Sequence, residues 1–339
     1  MSSRRRDGFT LIELLVVITI MGMLMAMIFP AFGAILESVR RAGCVNNLSS
    51  ISKAIDLYES GAGNGFPGLV EAGRKSRKYP NGVPMTWATT ILDQLGSKEL
   101  HKTWYEPEDG KPEMTVEPVK VYFCTSDNRD DLSAQQLSYV INAGAIEDGK
   151  DPAIAGVTGR APPQLSERLM SNGIAFNRYN TTPGVIARKV TKSGIQSKKG
   201  LAYTALLSEN VQAMNWGDKR VGESPPLAYD NLLTAKNSGA PETQMYTGFV
   251  WNGLGINQTE TDDQDIGQID RAPNPMWARP SSNHPDGVNM IFCNGGVKFV
   301  TNAIEVYVYQ ALCMTNPKTA IGEGMSPLVK EYSPADGDF

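Results

Sequence analysis

Arg4-Arg5-Arg6-Asp7-Gly8-Phe9-Thr10-Leu11-Ile12-Glu13-Leu14-Leu15-Val16-Val17 stands at the start of the chain. A basic cluster stops at a Gly-Phe junction, and an apolar run follows with one carboxylate, Glu13, near its beginning. No charged residue lies between Glu13 and Glu37, so residues 14–36 form an uncharged stretch of 23 residues. As a helix this stretch measures roughly 35 Å, against a hydrocarbon core of about 30 Å. Arg4, Arg5 and Arg6 favour a cytoplasmic N-terminus, a bias that Arg40 and Arg41 on the far side weaken. The remainder of the chain is then expected outside the inner membrane, in the periplasm or at the cell surface. An acid inside such a run is costly in lipid and is a functional hypothesis by default.

Three readings of this segment compete. A secretory signal peptide would be cut after small residues, with Ala31-Phe32-Gly33 as the site and Pro30 breaking the helix before it. A signal core has no use for a carboxylate, however, and this run exceeds the usual length of about 7–15 residues. A plain single-pass anchor explains the length and leaves the acid unexplained. The third reading is the leader of type IV pilins and type II secretion pseudopilins. Gly8-Phe9-Thr10-Leu11-Ile12-Glu13 resembles the motif that prepilin peptidase recognises. The resemblance implies cleavage between Gly8 and Phe9 and N-methylation of the new Phe9 amine. It places Glu13 at the fifth mature position, facing the amine of a neighbouring subunit's Phe9. Opposite charges attract far more strongly in a low dielectric than in water, so such a pair would favour assembly and set its register. The competing role for Glu13 is a side chain that snorkels to the near interface. The partners implied are prepilin peptidase, other pilin-like subunits and the lipid bilayer.

Net charge over 339 residues is -4. The eight-residue leader carries three Arg and one Asp, so its removal makes the chain more acidic. Such a surface gives no support to nucleic-acid binding. Gly (33) and Pro (21) are frequent, which suits a loop-rich β domain. The four cysteines are Cys44, Cys124, Cys293 and Cys313, and no two form a Cys-x-x-Cys pair. The spacing therefore predicts no thiolate metal site, and no cofactor is expected. In an exported domain disulfides are the better expectation. Of the three connectivities, Cys44–Cys124 with Cys293–Cys313 is favoured, and buried free thiols are the alternative.

Helical character continues beyond the membrane. Cys44, Leu48, Ile51, Ile55 and Tyr58 recur at spacings of four and three, which predicts one apolar stripe on an amphipathic helix. Gly61-Ala62-Gly63-Asn64-Gly65-Phe66-Pro67-Gly68 ends it. The expected organisation is a leader over 1–8, a stalk helix over 9–60, a β-rich head over 61–325 and a loose tail over 326–339. Within the head the pattern predicts a helix over 84–105, strands over 119–124, 137–141, 201–207 and 245–251, and a closing helix over 303–314. Residues 145–185, 210–240 and 259–270 read as loops. Asn294-Gly295 between two apolar runs predicts a hairpin with a two-residue turn, pairing 292 with 297, 290 with 299 and 288 with 301. The fold class is α+β and pilin-like: a long N-terminal helix packed on an antiparallel sheet with large loop insertions.

A second resemblance covers roughly residues 8–315. Arg41-Ala42-Gly43-Cys44-Val45-Asn46-Asn47-Leu48, Tyr122-Phe123-Cys124-Thr125-Ser126-Asp127 and Ser138-Tyr139-Val140-Ile141-Asn142-Ala143-Gly144 are the first three stretches that carry it. The fourth runs from Ser282-Asn283-His284-Pro285 to Asn294-Gly295. Together they are similar to a planctomycete-type family of pseudopilin-like proteins that contain a domain of unknown function and a C-terminal His-x9-Asp-Gly pattern. Asn294 replaces that motif's Asp, and Thr125 replaces a proline. Lys199-Gly200-Leu201-Ala202-Tyr203-Thr204, ahead of Ser208-Glu209-Asn210, stands where the family usually carries Asp-Gly-Thr-Ser-Asn-Thr. The resemblance implies an exported, pilin-like envelope protein and supplies no activity.

Only two histidines exist, His101 and His284. Asn283-His284-Pro285-Asp286-Gly287 reads as a turn whose imidazole caps a backbone group rather than as a ligand site. No phosphate loop, nucleophile elbow or His-Glu-x-x-His motif occurs. Asp262, Asp263, Asp265 and Asp270 lack the spacing of a calcium loop and read as a solvated acidic segment. The expectation is a structural, non-enzymatic subunit of a type IV pilus-like or type II secretion filament. The alternative is a membrane-tethered binding module that does not polymerise. A tethered hydrolase ranks third, for want of a nucleophile–base pair in the sequence.

Overall fold

The computed structural model describes residues 10–63, 65–75, 82–105, 117–127, 137–144, 171–176, 178, 189–211, 213, 248–250, 256, 279–320 and 325–335. Gly8 and Phe9, the acidic segment with Asp262, Asp263, Asp265 and Asp270, and nearly all of the expected loops at 145–185 and 210–240 lie outside the described residues.

Helix α1 runs from Leu11 to Tyr58 over 48 residues, helical through Pro30, and an irregular turn over Glu59–Gly63 ends it. Its two halves differ. From Leu11 to Met27 the large apolar side chains are exposed in every direction, Leu11, Ile12, Leu14, Leu15, Val16, Val17 and Ile18 among them. In the second half Cys44, Leu48, Ile51 and Ile55 are fully buried and Tyr58 packs against them, which is the stripe the spacing predicts. Each such aliphatic side chain contributes about 1.5–3 kcal/mol by leaving water. Among the described residues no helix is long and apolar enough to cross a membrane. The side chains at 28–31 and 34, inside the uncharged run, are not among those described.

The head is built on a five-stranded sheet. Its strands are β3 (Tyr139–Gly144), β4 (Ala205–Glu209), β5 (Gly248–Val250), β6 (Gly287–Phe292) and β7 (Val297–Thr301), in spatial order β5-β3-β4-β6-β7. All neighbours are antiparallel except β3 with β5. A two-stranded ribbon, β1 (Val70–Ala72) with β2 (Pro84–Thr86), stands apart from it. Short helices α2 (Trp87–Thr90), α3 (Lys98–Tyr105), α4 (Lys192–Gln196) and α5 (Val306–Cys313) complete the described head. Successive side chains of a strand point to opposite faces. Tyr139 Oη donates to the Cys44 carbonyl on α1 at 3.4 Å. Asn142, three residues on, donates from Nδ2 to the Cys313 carbonyl on α5 at 2.6 Å and to the Ala205 carbonyl at 2.8 Å. The sheet therefore lies between α1 and α5.

Several local expectations are corrected. The helix expected over 84–105 is divided. The Thr89 and Thr90 hydroxyls both donate to the Thr86 carbonyl, offering the backbone an alternative to helix propagation, and α2 stops after one turn. The strand expected over 119–124 is instead a 3₁₀ turn at Lys120–Tyr122. There the buried Tyr122 donates to the Ala88 carbonyl at 2.6 Å and meets Trp87 edge to face. The tail expected to be loose is held by a 3₁₀ turn over Pro327–Lys330 with Val329 buried, and Tyr332 packs against Tyr307.

The hairpin forms one residue out of the expected register. Val288 faces Val300, Asn289 faces Phe299 and Ile291 faces Val297. The loop is three residues, Cys293-Asn294-Gly295, closed by Phe292 N–H donating to the Gly296 carbonyl at 2.9 Å. Gly295 adopts φ 84, the left-handed position that a three-residue hairpin needs. Asn294 Oδ1 accepts the Gly296 N–H at 2.9 Å and fixes the turn. The shift of register places Asn289 beside Phe299 on the face toward α1, where the Arg41 guanidinium lies 3.7 Å from the Phe299 ring centre.

Candidate functional site

Two regions carry chemistry: the start of α1 and a buried polar cluster under its middle. At the start, Thr10 is the N-cap. Its hydroxyl accepts the Glu13 N–H at 3.3 Å. Glu13 Oε2 in return accepts the Thr10 N–H at 2.9 Å and the Thr10 hydroxyl at 2.8 Å. This is a capping box, which satisfies two of the free donors of the first helical turn. In the single chain the Glu13 carboxylate is therefore not bare. It caps its own helix.

The cluster forms where four distant stretches meet. Cys44 comes from α1. Cys124 and Ser126 come from the segment after the 3₁₀ turn, Glu209 from the end of β4, and His284 from the turn before β6. Cys44 and Cys124 are joined by a disulfide across 80 residues of sequence, tying α1 to the head. Thr125 Oγ1 donates to the Arg40 carbonyl at 2.9 Å and Asn47 Nδ2 to the Phe123 carbonyl at 2.7 Å, which hold the two sulfurs in register. The second expected pair is not formed: Cys293 and Cys313 are buried free thiols. Cys293 is fixed through its N–H to the Thr204 carbonyl, and Cys313 through its carbonyl to Asn142, so different partners hold the two ends. Burial pushes both thiols up, Cys313 to about 12, and the Lys199 ammonium partly offsets this for each.

His284 does not cap backbone as expected of its turn. Its ring is held between two carboxylates, Glu37 at Nδ1 and Glu209 Oε1 at 3.2 Å from Nε2. Ser126 Oγ lies 3.3 Å from Nδ1, and Cys124 Sγ lies 3.8 Å from Nε2. Burial opposes charging the imidazole, but the hydrogen bonds and charges of Glu209 and Glu37 outweigh it and raise the His284 pKa. Glu209 is itself anchored, with Oε2 accepting the Asn289 N–H at 2.8 Å and Oε1 accepting Asn289 Nδ2 at 2.9 Å. Arg41 Nε donates to Asn289 Oδ1 at 3.3 Å and completes the chain back to α1. The turn is shaped for this: Asp286 takes φ 65, and Ser282 Oγ accepts the His284 N–H at 3.1 Å.

The ligand atoms of Cys44, Cys124, Glu209 and His284 all lie within 4.8 Å of one another, and all four residues are buried. Cys44, Cys124 and His284 were singled out in the sequence. Glu209 was visible only as the acid closing a strand, Ser126 only as one position of a family-like stretch, and Glu37 only as the charge that ends the apolar run. The absence of a Cys-x-x-Cys pair hid the grouping, because the two cysteines meet through the fold rather than through local spacing. Asn294 and Gly295 shape the hairpin tip and do not join the cluster. His101 lies on α3, stacked on Tyr105 with ring centres 5.5 Å apart.

Lys199, in the segment that departs from the family pattern, donates from Nζ to the carbonyls of Ala311 and Leu312 at the C-terminal end of α5. A cation there complements the carbonyl end of the helix. Burial of the ammonium pulls its pKa down to about 7.

Comparison with known proteins finds similarity at the N-terminus and over the body of the chain. Residues 3–29 match the prokaryotic N-terminal methylation motif. Over 59 residues the chain is 34% identical to the type II secretion system core protein G of Aeromonas hydrophila, a stretch covering 17% of this chain and 41% of that protein. The chain thus spans less than half the length of that curated relative. No solved structure matches. The family described as a protein of unknown function, DUF1559, matches residues 34–307. That span is most of the chain and takes in the whole buried cluster, and the protein belongs to this DUF1559 family, with a prepilin-type methylation motif ahead of it.

Proposed function

We propose that this protein is a structural subunit of a type IV pilus-like or type II secretion filament. Prepilin peptidase cuts after Gly8, and the mature chain begins at a methylated Phe9. Residues 9–35 hold it in the inner membrane, with the head exported to the periplasm or cell surface. The observation that carries this reading is the contrast along α1. From Leu11 to Met27 large apolar side chains are exposed on every side, while from Cys44 to Tyr58 one face is buried by the head. A helix apolar all round belongs in lipid or among other helices. The methylation motif and the stretch shared with protein G support the same assignment. In this reading the protein is not an enzyme: its work is packing stalk on stalk, with Glu13 paired to a neighbour's Phe9 amine.

The capping box favours one alternative, a tethered subunit that stays single. Because Glu13 is already satisfied by Thr10, a lone subunit has no bare carboxylate driving it to a partner. A Glu13→Ala variant separates the two. The filament reading expects normal processing and loss of the variant from sheared filaments; an unchanged filament yield contradicts it.

A further inference from the structure

We propose that Cys44, Cys124, Glu209 and His284 form a binding centre for a thiophilic divalent cation of the zinc class, which competes with the Cys44–Cys124 disulfide for the two sulfurs. The centre is independent of filament assembly.

Three observations carry it. The first is ligand chemistry. Two thiolates, one imidazole and one carboxylate are all established zinc ligands, and here they converge in a buried site. The second is geometry. A tetrahedral zinc with bonds of ~2.3 Å to sulfur and ~2.0–2.1 Å to nitrogen and oxygen sets its N···O edge at ~3.3 Å and its S···N and S···O edges at ~3.6 Å. Three of the four ligands sit on such edges: Nε2 of His284 lies 3.2 Å from Glu209 Oε1, and Cys124 Sγ lies 3.8 Å from Nε2 and 3.7 Å from Oε1. Cys44 Sγ is bonded to Cys124 Sγ and has to turn away, once the disulfide is reduced, to reach the S···S edge of ~3.8 Å. The third is the surrounding support. Glu37 accepts at Nδ1 of His284, which fixes the ring and leaves Nε2 to face the cluster. Asn289 holds both oxygens of Glu209. A carboxylate behind a ligating histidine and hydrogen bonds behind a ligating carboxylate are the arrangement that metal sites use to orient their ligands.

The exchange balances. A dithiol reductant transfers two electrons and two protons to the Cys44–Cys124 disulfide, giving two thiols and an oxidised, disulfide-bonded reductant. The cation then binds both sulfurs as thiolates and releases two protons. In either state Cys44 on α1 stays linked to Cys124 in the head, by a covalent bond or through the metal.

The test uses the full chain in detergent micelles. Oxidised protein and protein reduced anaerobically with a phosphine are titrated with Co²⁺, followed by visible absorption, and then with Zn²⁺. The expected result is one Co²⁺ per chain in the reduced protein only. Its spectrum should show thiolate charge transfer and the intense bands of tetrahedral cobalt, and Zn²⁺ should displace it. His284→Ala and Glu209→Gln should each weaken binding at least 10-fold. Reduced protein that binds no Co²⁺, binding without a thiolate band, equal binding by the oxidised protein, or unaltered affinity in both variants overturns the proposal. Loss of far-ultraviolet helicity on reduction that Zn²⁺ does not restore overturns it as well, since the centre must hold α1 in place of the disulfide. The oxidised-against-reduced comparison needs no variant, so a misfolded mutant leaves the test intact.

Discussion

The Glu13 carboxylate closes on Thr10, 2.9 Å from its backbone nitrogen and 2.8 Å from its hydroxyl. In the proposed filament an assembling neighbour would have to exchange these contacts for its own terminal ammonium, which makes Thr10 a competitor in assembly. Thr10→Val removes the hydroxyl and leaves the acid in place. The variant should be processed normally and enter filaments at least as well as the unmodified chain. The filament fraction after shearing measures this, and a loss comparable to that of Glu13→Ala contradicts it.

The two histidines should titrate on opposite sides of the ordinary imidazole value. Burial lowers the His101 pKa, only partly offset by Asp93, whereas Glu209 and Glu37 raise that of His284 against its burial. For His284 the carboxylate contacts favour folding at pH values below the ordinary imidazole pKa. That contribution is lost as pH rises through the raised folded pKa. With two histidines in the chain, two ring-proton resonances followed by NMR against pH suffice, and His101→Asn assigns them. A His284 midpoint at or below that of His101 contradicts the carboxylate pairing.

Cutting the tie between stalk and head should be costly. The Cys44–Cys124 bridge closes a loop of 80 residues, and its removal by Cys44→Ser should cost about 4.5 kcal/mol in the chain-entropy account. Urea unfolding of the oxidised protein and the variant measures the difference. A loss below about 1 kcal/mol would show that the packing of Leu48, Ile51 and Ile55 alone holds α1 to the sheet.

Lys199 should make stability rise with pH. Its folded pKa of about 7 lies below the ordinary lysine value of 10.5. Above pH 7 the unfolded chain keeps a proton that the folded one has released, so stability increases with pH. The slope is at most about 1.4 kcal/mol per pH unit. Between pH 7 and about 8, where ordinary thiols are still mostly protonated, the Lys199→Met variant should lose this slope. Equal slopes in both proteins contradict the depressed value.

The sequence showed the stalk plainly, because a helix reports itself through local spacing: Cys44, Leu48, Ile51 and Ile55 all become buried, with Ser52 and Ala54 beside them. It showed that a hairpin follows Gly287, yet placed the register one residue off. Asn294-Gly295 suits both a two-residue and a three-residue loop, and only the packing of β6 between β4 and β7 decides between them. It missed the buried cluster for a related reason. Glu37, Ser126, Glu209 and His284 span some 250 positions and meet only when α1, the sheet and the turn at 282–287 are assembled. A histidine in an Asn-Pro-Asp-Gly setting looks like turn chemistry until its two carboxylate partners are in place.

The central claim is that a processed Phe9 begins a helix made for lipid and for neighbouring stalks. Mass spectrometry of the native protein's N-terminal peptide tests it directly. The account predicts a chain starting at Phe9 with one methyl group on its amine. A start near Ala34, or an intact Met1 leader on membrane-bound material, contradicts it.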